Sequence, residues 1–282
     1  MKNLFLTMPQ GLRYMILSAL GFALMAACVK KASVNGIPVL QIVVFRALIS
    51  LALSYWDVRR KAIPLFGFNK PLLIARGLVG SFALTCVYYS VTQMPLADAT
   101  VLQYLHPMFT ALLAVWFLKE AIHPSLIASI GLSFIGLLMI ARPSWLFADA
   151  GSETPEFAIF AAIVGSFASA VAYVLVRKLS QSEDPSVIIF YFPLVTLPLS
   201  LLFIGNNFVV PNMETLGILL LVGLFTQVGQ LGLTKAMQTE PAGRATAFSY
   251  LQVVFAAGLG WIFFSEVPTV WVWCGAASIM VG

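Results

Sequence analysis

YLHPMFTALLAVWFLKE, residues 104–120, and YLQVVFAAGLGWIFFSE, residues 250–266, decide the fold. Each opens on Tyr-Leu, runs apolar, and closes on an acid, and they lie 146 residues apart. At that shift Ala99-Thr100 meets Ala245-Thr246, and Phe109, Ala111, Leu113 and Phe117 meet Phe255, Ala257, Leu259 and Phe263. Glu120 meets Glu266, Pro95 meets Pro241, and Gly77 meets Gly223. Nearer the N-terminus a shift of 147 pairs Lys31 with Lys178, Pro38 with Pro185 and Phe45 with Phe192. The chain therefore reads as one unit written twice: a first copy over 1–141, a connecting loop at 142–156, and a second copy over 157–282.

The 282 residues are 60% hydrophobic and 10% charged, with a mean hydropathy of +0.95. Soluble domains carry about a quarter charged residues. Apolar runs of about 20 residues recur along the length, the signature of a polytopic membrane protein. The runs are continuous rather than alternating, which selects helices over a barrel. Ten spans are expected, at 12–29, 38–56, 71–92, 97–118, 123–141, 157–176, 186–204, 213–235, 243–264 and 269–282. Five spans per copy is an odd number, so the second copy enters the membrane upside down. The expected fold is all-α: ten transmembrane helices as two inverted five-helix repeats, the architecture of secondary transporters. The last span rises only about 21 Å against a hydrocarbon core of roughly 30 Å, so the natural chain is expected to continue past Gly282. The first span lacks a small-residue cleavage site and reads as a retained helix.

With the N-terminus in the cytoplasm, the inside loops hold eleven cations: Lys2, Arg13, Arg59, Arg60, Lys61, Lys70, Lys119, Arg177, Lys178, Lys235 and Arg244. The outside loops hold three, Lys30, Lys31 and Arg142. This bias places both termini in the cytoplasm and the protein in the inner or plasma membrane. It also accounts for the net charge of +5 without a nucleic-acid partner. Cys28, Cys86 and Cys274 fall inside spans without a CxxC pairing and read as packing residues.

Polar groups inside spans mark the candidate site. Arg46, at the centre of the second span, costs roughly 2.5–3.5 kcal/mol on insertion scales. It reads either as a cation facing a cavity, able to hold a carboxylate or phosphate, or as a structural group on neighbouring carbonyls. Arg76 is near a span end and is expected to snorkel to the interface. His106 is mid-span, and Pro107 kinks the helix by freeing the carbonyl of Gln103. Gln103 and His106 share a face, and so do their counterparts Ser249 and Gln252. These paired faces favour a shared substrate cavity over simple packing. Tyr88, Tyr89, Tyr104, Gln227, Gln230 and Tyr250 are expected to complete its wall. Glu120 and Glu266 close the fourth helix of each copy, as interfacial carboxylates or gate contacts. Gly77, Gly80, Gly258 and Gly260 are expected to allow close helix approach. The fifth and tenth helices, with Gly131, Gly136 and Gly275, are expected to support the fold or form a homodimer.

The segment YYSVTQMPLADATVLQYLHPMFTALLAVWFLKE, followed by GLSFIGLLMIARPSWLF, resembles the EamA-type repeat of the drug/metabolite transporter superfamily. MPLADAT and the later ARP resemble the G-type subgroup of solute carrier family 35. The second copy has EPAGRAT at the equivalent place, and Val253 where the family pattern has a proline like Pro107. The resemblance implies a small-molecule exporter or exchanger working by alternating access through a central cavity. Small multidrug exporters of that superfamily carry a carboxylate in the first helix; LRYMILSALGFALMAACV has none, so an anionic or amphipathic metabolite fits better than a proton-driven cation. The sequence has no P-loop, no HExxH and no Cys/His cluster, so no cofactor or metal is expected. The rival readings are a non-transporting membrane scaffold and a membrane-embedded enzyme. The enzyme reading lacks a partner for its base: His106 has no carboxylate nearby in sequence, and His123 stands at a helix end.

Overall fold

A computed structural model describes residues 9–93, 96–121, 123–141, 155–204, 208–265 and 268–281, the side chains of Tyr88, Thr92 and 96–98 aside. These residues are helical: α1 Gln10–Val34, α2 Val39–Arg60, α3 Lys70–Gln93, α4 Leu96–Gln103, α5 His106–Leu113, α6 Pro124–Ala141, α7 Glu156–Leu179, α8 Pro185–Ile204, α9 Met213–Thr239, α10 Ala242–Ala247, α11 Leu251–Phe264 and α12 Val270–Val281. Among the described residues, nine stretches are long and apolar enough to cross a membrane, and α12 is a shorter apolar helix. The protein is an all-helical, multi-pass membrane protein.

Helices start where prolines permit. Pro9, Pro38 and Pro241 precede α1, α2 and α10 with φ near −55° and extended ψ. There the missing N–H is one that a first turn leaves unbonded anyway. The helices outlast the apolar runs by several residues: Lys30 and Lys31 still lie in α1, Arg59 and Arg60 in α2, Arg177 and Lys178 in α7. Long basic side chains carry a helix through the interface, keeping the charge in water, where a hydropathy window stops.

By contacts the chain divides into two compact units, Met1–Leu78 with Val176–Thr239, and Val79–Leu175 with Glu240–Gly282. In the first unit α1 lies against α9 at backbone distance. A Cβ on Gly21 would meet the Gly229 amide at 2.8 Å, and one on Gly232 would meet the Tyr14 carbonyl at 2.8 Å. Ser18 Oγ donates to the Gly229 carbonyl at 2.8 Å. α2 packs on α8 and α9. Gln41 exchanges two hydrogen bonds with the backbone of Val209, at 2.6 and 2.9 Å, and so pins the segment leading into α9. At the opposite end Arg177 and Ser180 donate to the Met237 carbonyl.

In the second unit α6 packs on α12. A Cβ on Gly136 would stand 2.6 Å from the Gly275 carbonyl, and Ser278 Oγ donates to Leu132 O at 3.0 Å. Gly136 and Gly275 thus face each other within one chain, while Gly131 and Gly258 have open space around them. Among the described residues nothing comes within 4 Å of a Cβ on Gly258, so the close approach expected there is not seen. Arg76 differs too. It is 5% exposed, with its guanidinium 5.0 Å from the Phe192 ring centre. Gly77 lets α8 come in against α3 beside it, covering the path by which the side chain would snorkel.

Candidate functional site

Both repeat-related spans break midway. The fourth span is interrupted at Tyr104-Leu105, between α4 and α5. The ninth passes through a 3-10 turn at Phe248–Tyr250, between α10 and α11. The breaks overlap at Tyr104 and Tyr250, 146 residues apart, the second starting two residues earlier in register. The span ends also correspond: Lys119 and Ser265 are left-handed, with φ of 55° and 57°. Their amides reach back to the carbonyls of Ala114 and Gly260, again 146 apart.

Pro107 accounts for the first break. It has no N–H for the carbonyl of Gln103. That carbonyl instead accepts from His106 Nδ1 at 3.0 Å and from Ser166 Oγ at 3.1 Å. A carbonyl only accepts, so Nδ1 carries the hydrogen. Nε2 of the neutral ring is then an acceptor, and Ser249 Oγ lies 3.3 Å away as its donor. The next carbonyl, of Tyr104, accepts from the Tyr250 hydroxyl at 2.8 Å. The Tyr104 and Tyr250 rings stack at 5.7 Å, and the His106 ring sits 5.7 Å from Tyr104 and 5.2 Å from Tyr173. Tyr250 is fully buried, and Tyr104 and His106 nearly so.

The second break has Val253 where the first has proline, yet it occurs. The two halves are more alike here than their sequences suggest. Side chains of the second break, Ser249 and Tyr250, bond to His106 and to the Tyr104 carbonyl at the first.

Gln103, Tyr104, His106, Ser249 and Tyr250 are therefore brought together in the second unit. Both imidazole nitrogens and the freed carbonyl have protein partners, which makes His106 a tie between the breaks. Among the described residues no hydrogen bond uses the side-chain amides of Gln103 and Gln252 or the Tyr104 hydroxyl; these are the groups at the breaks with capacity for a ligand. Glu120 accepts the Ala242 amide at 2.8 Å and so caps α10, where a carboxylate suits the helix dipole. Tyr89 is 39% exposed, with its ring edge-on to Phe157 at 5.5 Å. The Tyr88 side chain and Glu266 lie outside the described residues.

Arg46, Gln227 and Gln230 belong to the first unit. Gln227 uses both ends of its amide: Oε1 accepts from Ser50 at 2.8 Å, and Nε2 donates to Ser54 at 2.9 Å. Gln230 is half-buried. Arg46 lies one turn before Ser50 on the same face of α2, half-buried, and no hydrogen bond or ion pair among the described residues reaches it. Ser166 and Tyr173, on α7, were not foreseen. A serine in an apolar helix carries no signal of its partner, because its bond here joins residues 63 apart.

The EamA-like transporter family matches residues 9–142 and 156–282. The chain belongs to the EamA-like transporter family. Among its EamA relatives, the pseudopaline exporter CntI of Pseudomonas aeruginosa is 33% identical, over 97% of this chain and 94% of that one. Solute carrier family 35 member G1 of Homo sapiens is 33% identical, over 96% of this chain and 76% of the relative. A solved crystal structure shares the EamA chain's fold, with a TM-score of 0.79, 16% identity and 94% of each chain covered. The relatives are transporters, as the resemblance of MPLADAT and ARP implied.

Proposed function

We propose that the protein is a secondary transporter, an exporter or exchanger, that moves a small organic metabolite by alternating access. The observation that carries the proposal is the pair of broken helices. Two spans related by the 146-residue shift depart from regular α-helix around the equivalent residues Tyr104 and Tyr250 and meet there. Discontinuous helices at a repeat interface are where secondary transporters bind substrate. The proposal takes the chain as ten helices in two inverted five-helix repeats, 1–141 and 157–282, with both termini in the cytoplasm of the cell's inner or plasma membrane. The recurring breaks and left-handed span ends support that reading, as do the two segments matched by the family. The name of the exporter relative favours export.

Arg46 is the group proposed to hold an anionic or zwitterionic substrate. A guanidinium within a span, without a protein partner among the described residues, favours a carboxylate or phosphate. Gln103, Tyr104 and Gln252 are proposed as neutral contacts, with His106, Ser249 and Tyr250 positioning them. Tyr88, Tyr89, Gln227 and Gln230 are proposed as wall residues, and Glu120 and Glu266 as the ends that gating moves. A homodimer is proposed through the outer face of α12, where Trp271, Trp273 and Met280 are exposed.

The test is thermal stabilisation of the purified protein against a metabolite panel, with Arg46→Ala in parallel. A ligand that binds only the native state raises apparent stability by mass action. The expected result is an anionic or zwitterionic compound that shifts the native protein and leaves a cooperatively melting Arg46→Ala unshifted. A shift kept by the variant removes Arg46 from the site; no shift from any compound favours a scaffold instead.

A further inference from the structure

α2 ends at Arg60 and α3 begins at Lys70, and both are long and apolar enough to cross a membrane. The loop between them, 61–69, therefore lies at a bilayer surface. Two consecutive acids just before α8, Glu183 and Asp184, hold the loop's two ends. Asp184 takes Lys61 Nζ at 3.0 Å, and Glu183 Oε1 accepts the amides of Phe68 and Asn69 at 2.7 and 2.6 Å. In between, the Tyr191 hydroxyl donates to the Phe66 carbonyl at 3.1 Å. The path requires a left-handed Gly67, where a Cβ would stand 2.6 Å from the Glu183 carboxylate.

This clamp sorts what the loop shows. Glu183 turns inward, 4% exposed, while the partly exposed Asp57 and Asp184 are occupied by Lys61 and Ser186. Outward stand Phe66 and Phe68, 55% and 78% exposed, beside the exposed Arg59, Arg60 and Lys70. Arg59 lies over the Tyr55 ring at 5.4 Å and Arg60 over Trp56 at 5.2 Å, so these cations cap the aromatic end of the span. Arg60 also touches Asp57 at 3.2 Å; among the described residues no carboxylate reaches Arg59 or Lys70. Cations level with headgroups, and apolar rings that can enter the acyl boundary beside them, complement an anionic lipid surface.

We propose that residues 59–70 are a clamped anchor for anionic phospholipid headgroups, with Arg59, Arg60 and Lys70 taking phosphates and Phe66 and Phe68 entering the bilayer. The anchor does not depend on what the protein transports.

The full chain is reconstituted in mixed phosphatidylglycerol and phosphatidylcholine nanodiscs, and the lipids it retains are counted by native mass spectrometry. Each exposed cation near an anionic surface is worth about fivefold. The expected result is phosphatidylglycerol enrichment that falls by about fivefold or more in R59Q/R60Q/K70Q, and falls partly in F66S/F68S. Glu183→Gln keeps every one of these cations and frees the loop, so a partial fall is expected there too. Melting in pure phosphatidylcholine is measured for each variant, so that unfolding is not mistaken for lost contact. The proposal is overturned if the triple variant enriches phosphatidylglycerol as strongly as the native protein. It is overturned equally if excess inorganic phosphate abolishes the enrichment, which would make the loop a free-anion site. Unchanged enrichment in Glu183→Gln would overturn the role of the clamp.

Discussion

At the scale of single residues, the site is organised by carbonyls that lack helical donors. The Gln103 carbonyl has His106 and Ser166, and the Tyr104 carbonyl has Tyr250. Tyr250→Phe removes one buried hydrogen bond and leaves the ring stack in place. It should lower stability by about 0.5–1.5 kcal/mol, read by reversible unfolding in mixed micelles. His106→Ala should cost more, about 1–3 kcal/mol, because it leaves both Ser249 and Gln103 short of a partner. The sequence pointed to this place because Pro107 and a mid-span histidine are legible one residue at a time. It did not show that the freed carbonyl is already occupied. That depends on Ser166, which donates to it, and on His106, whose other nitrogen meets Ser249; these serines lie 63 and 143 residues from their partners, and no local pattern encodes such a pairing.

At the scale of elements, small residues decide which helices touch. Gly136→Val would drive a side chain into the Gly275 carbonyl and should destabilise by about 1–3 kcal/mol, as overpacked cores do. Gly131→Ala meets nothing within 4 Å and should be neutral or gain up to about 1 kcal/mol of helix propensity. The same unfolding assay separates the two. Nine of the ten expected spans correspond to long apolar stretches among the described residues, since hydropathy over twenty residues is a strong signal, and the tenth to the shorter α12. Which glycine meets a neighbour was not, because spacing does not say which face is covered. At the end of α2, desolvation pulls the Lys61 ammonium down, but the hydrogen bonds it donates to Asp57 and Asp184, with their charges, outweigh it and raise its pKa. Its contribution to stability is complete below the ordinary lysine value of 10.5 and is lost as pH rises through the raised folded value. Lys61→Met should flatten the alkaline fall in melting temperature relative to the native protein.

At the scale of the molecule, the repeat and the contacts divide the chain differently. The shift of 146 says which residues are alike, and the breaks and left-handed ends follow it. The compact units do not follow it: each combines parts of both copies. Sequence alignment of a chain with itself reports likeness, whereas packing partners depend on faces such as Gly21 on Gly229. Transport of an anionic or zwitterionic metabolite is proposed to depend on Arg46. It is tested most directly in liposomes containing only this protein, loaded with a mixed metabolite panel, with retained contents followed by mass spectrometry. The predicted result is saturable, selective loss of one anionic or zwitterionic compound, abolished in an Arg46→Ala protein of unchanged melting behaviour. Retention equal to protein-free liposomes for every compound would contradict the claim.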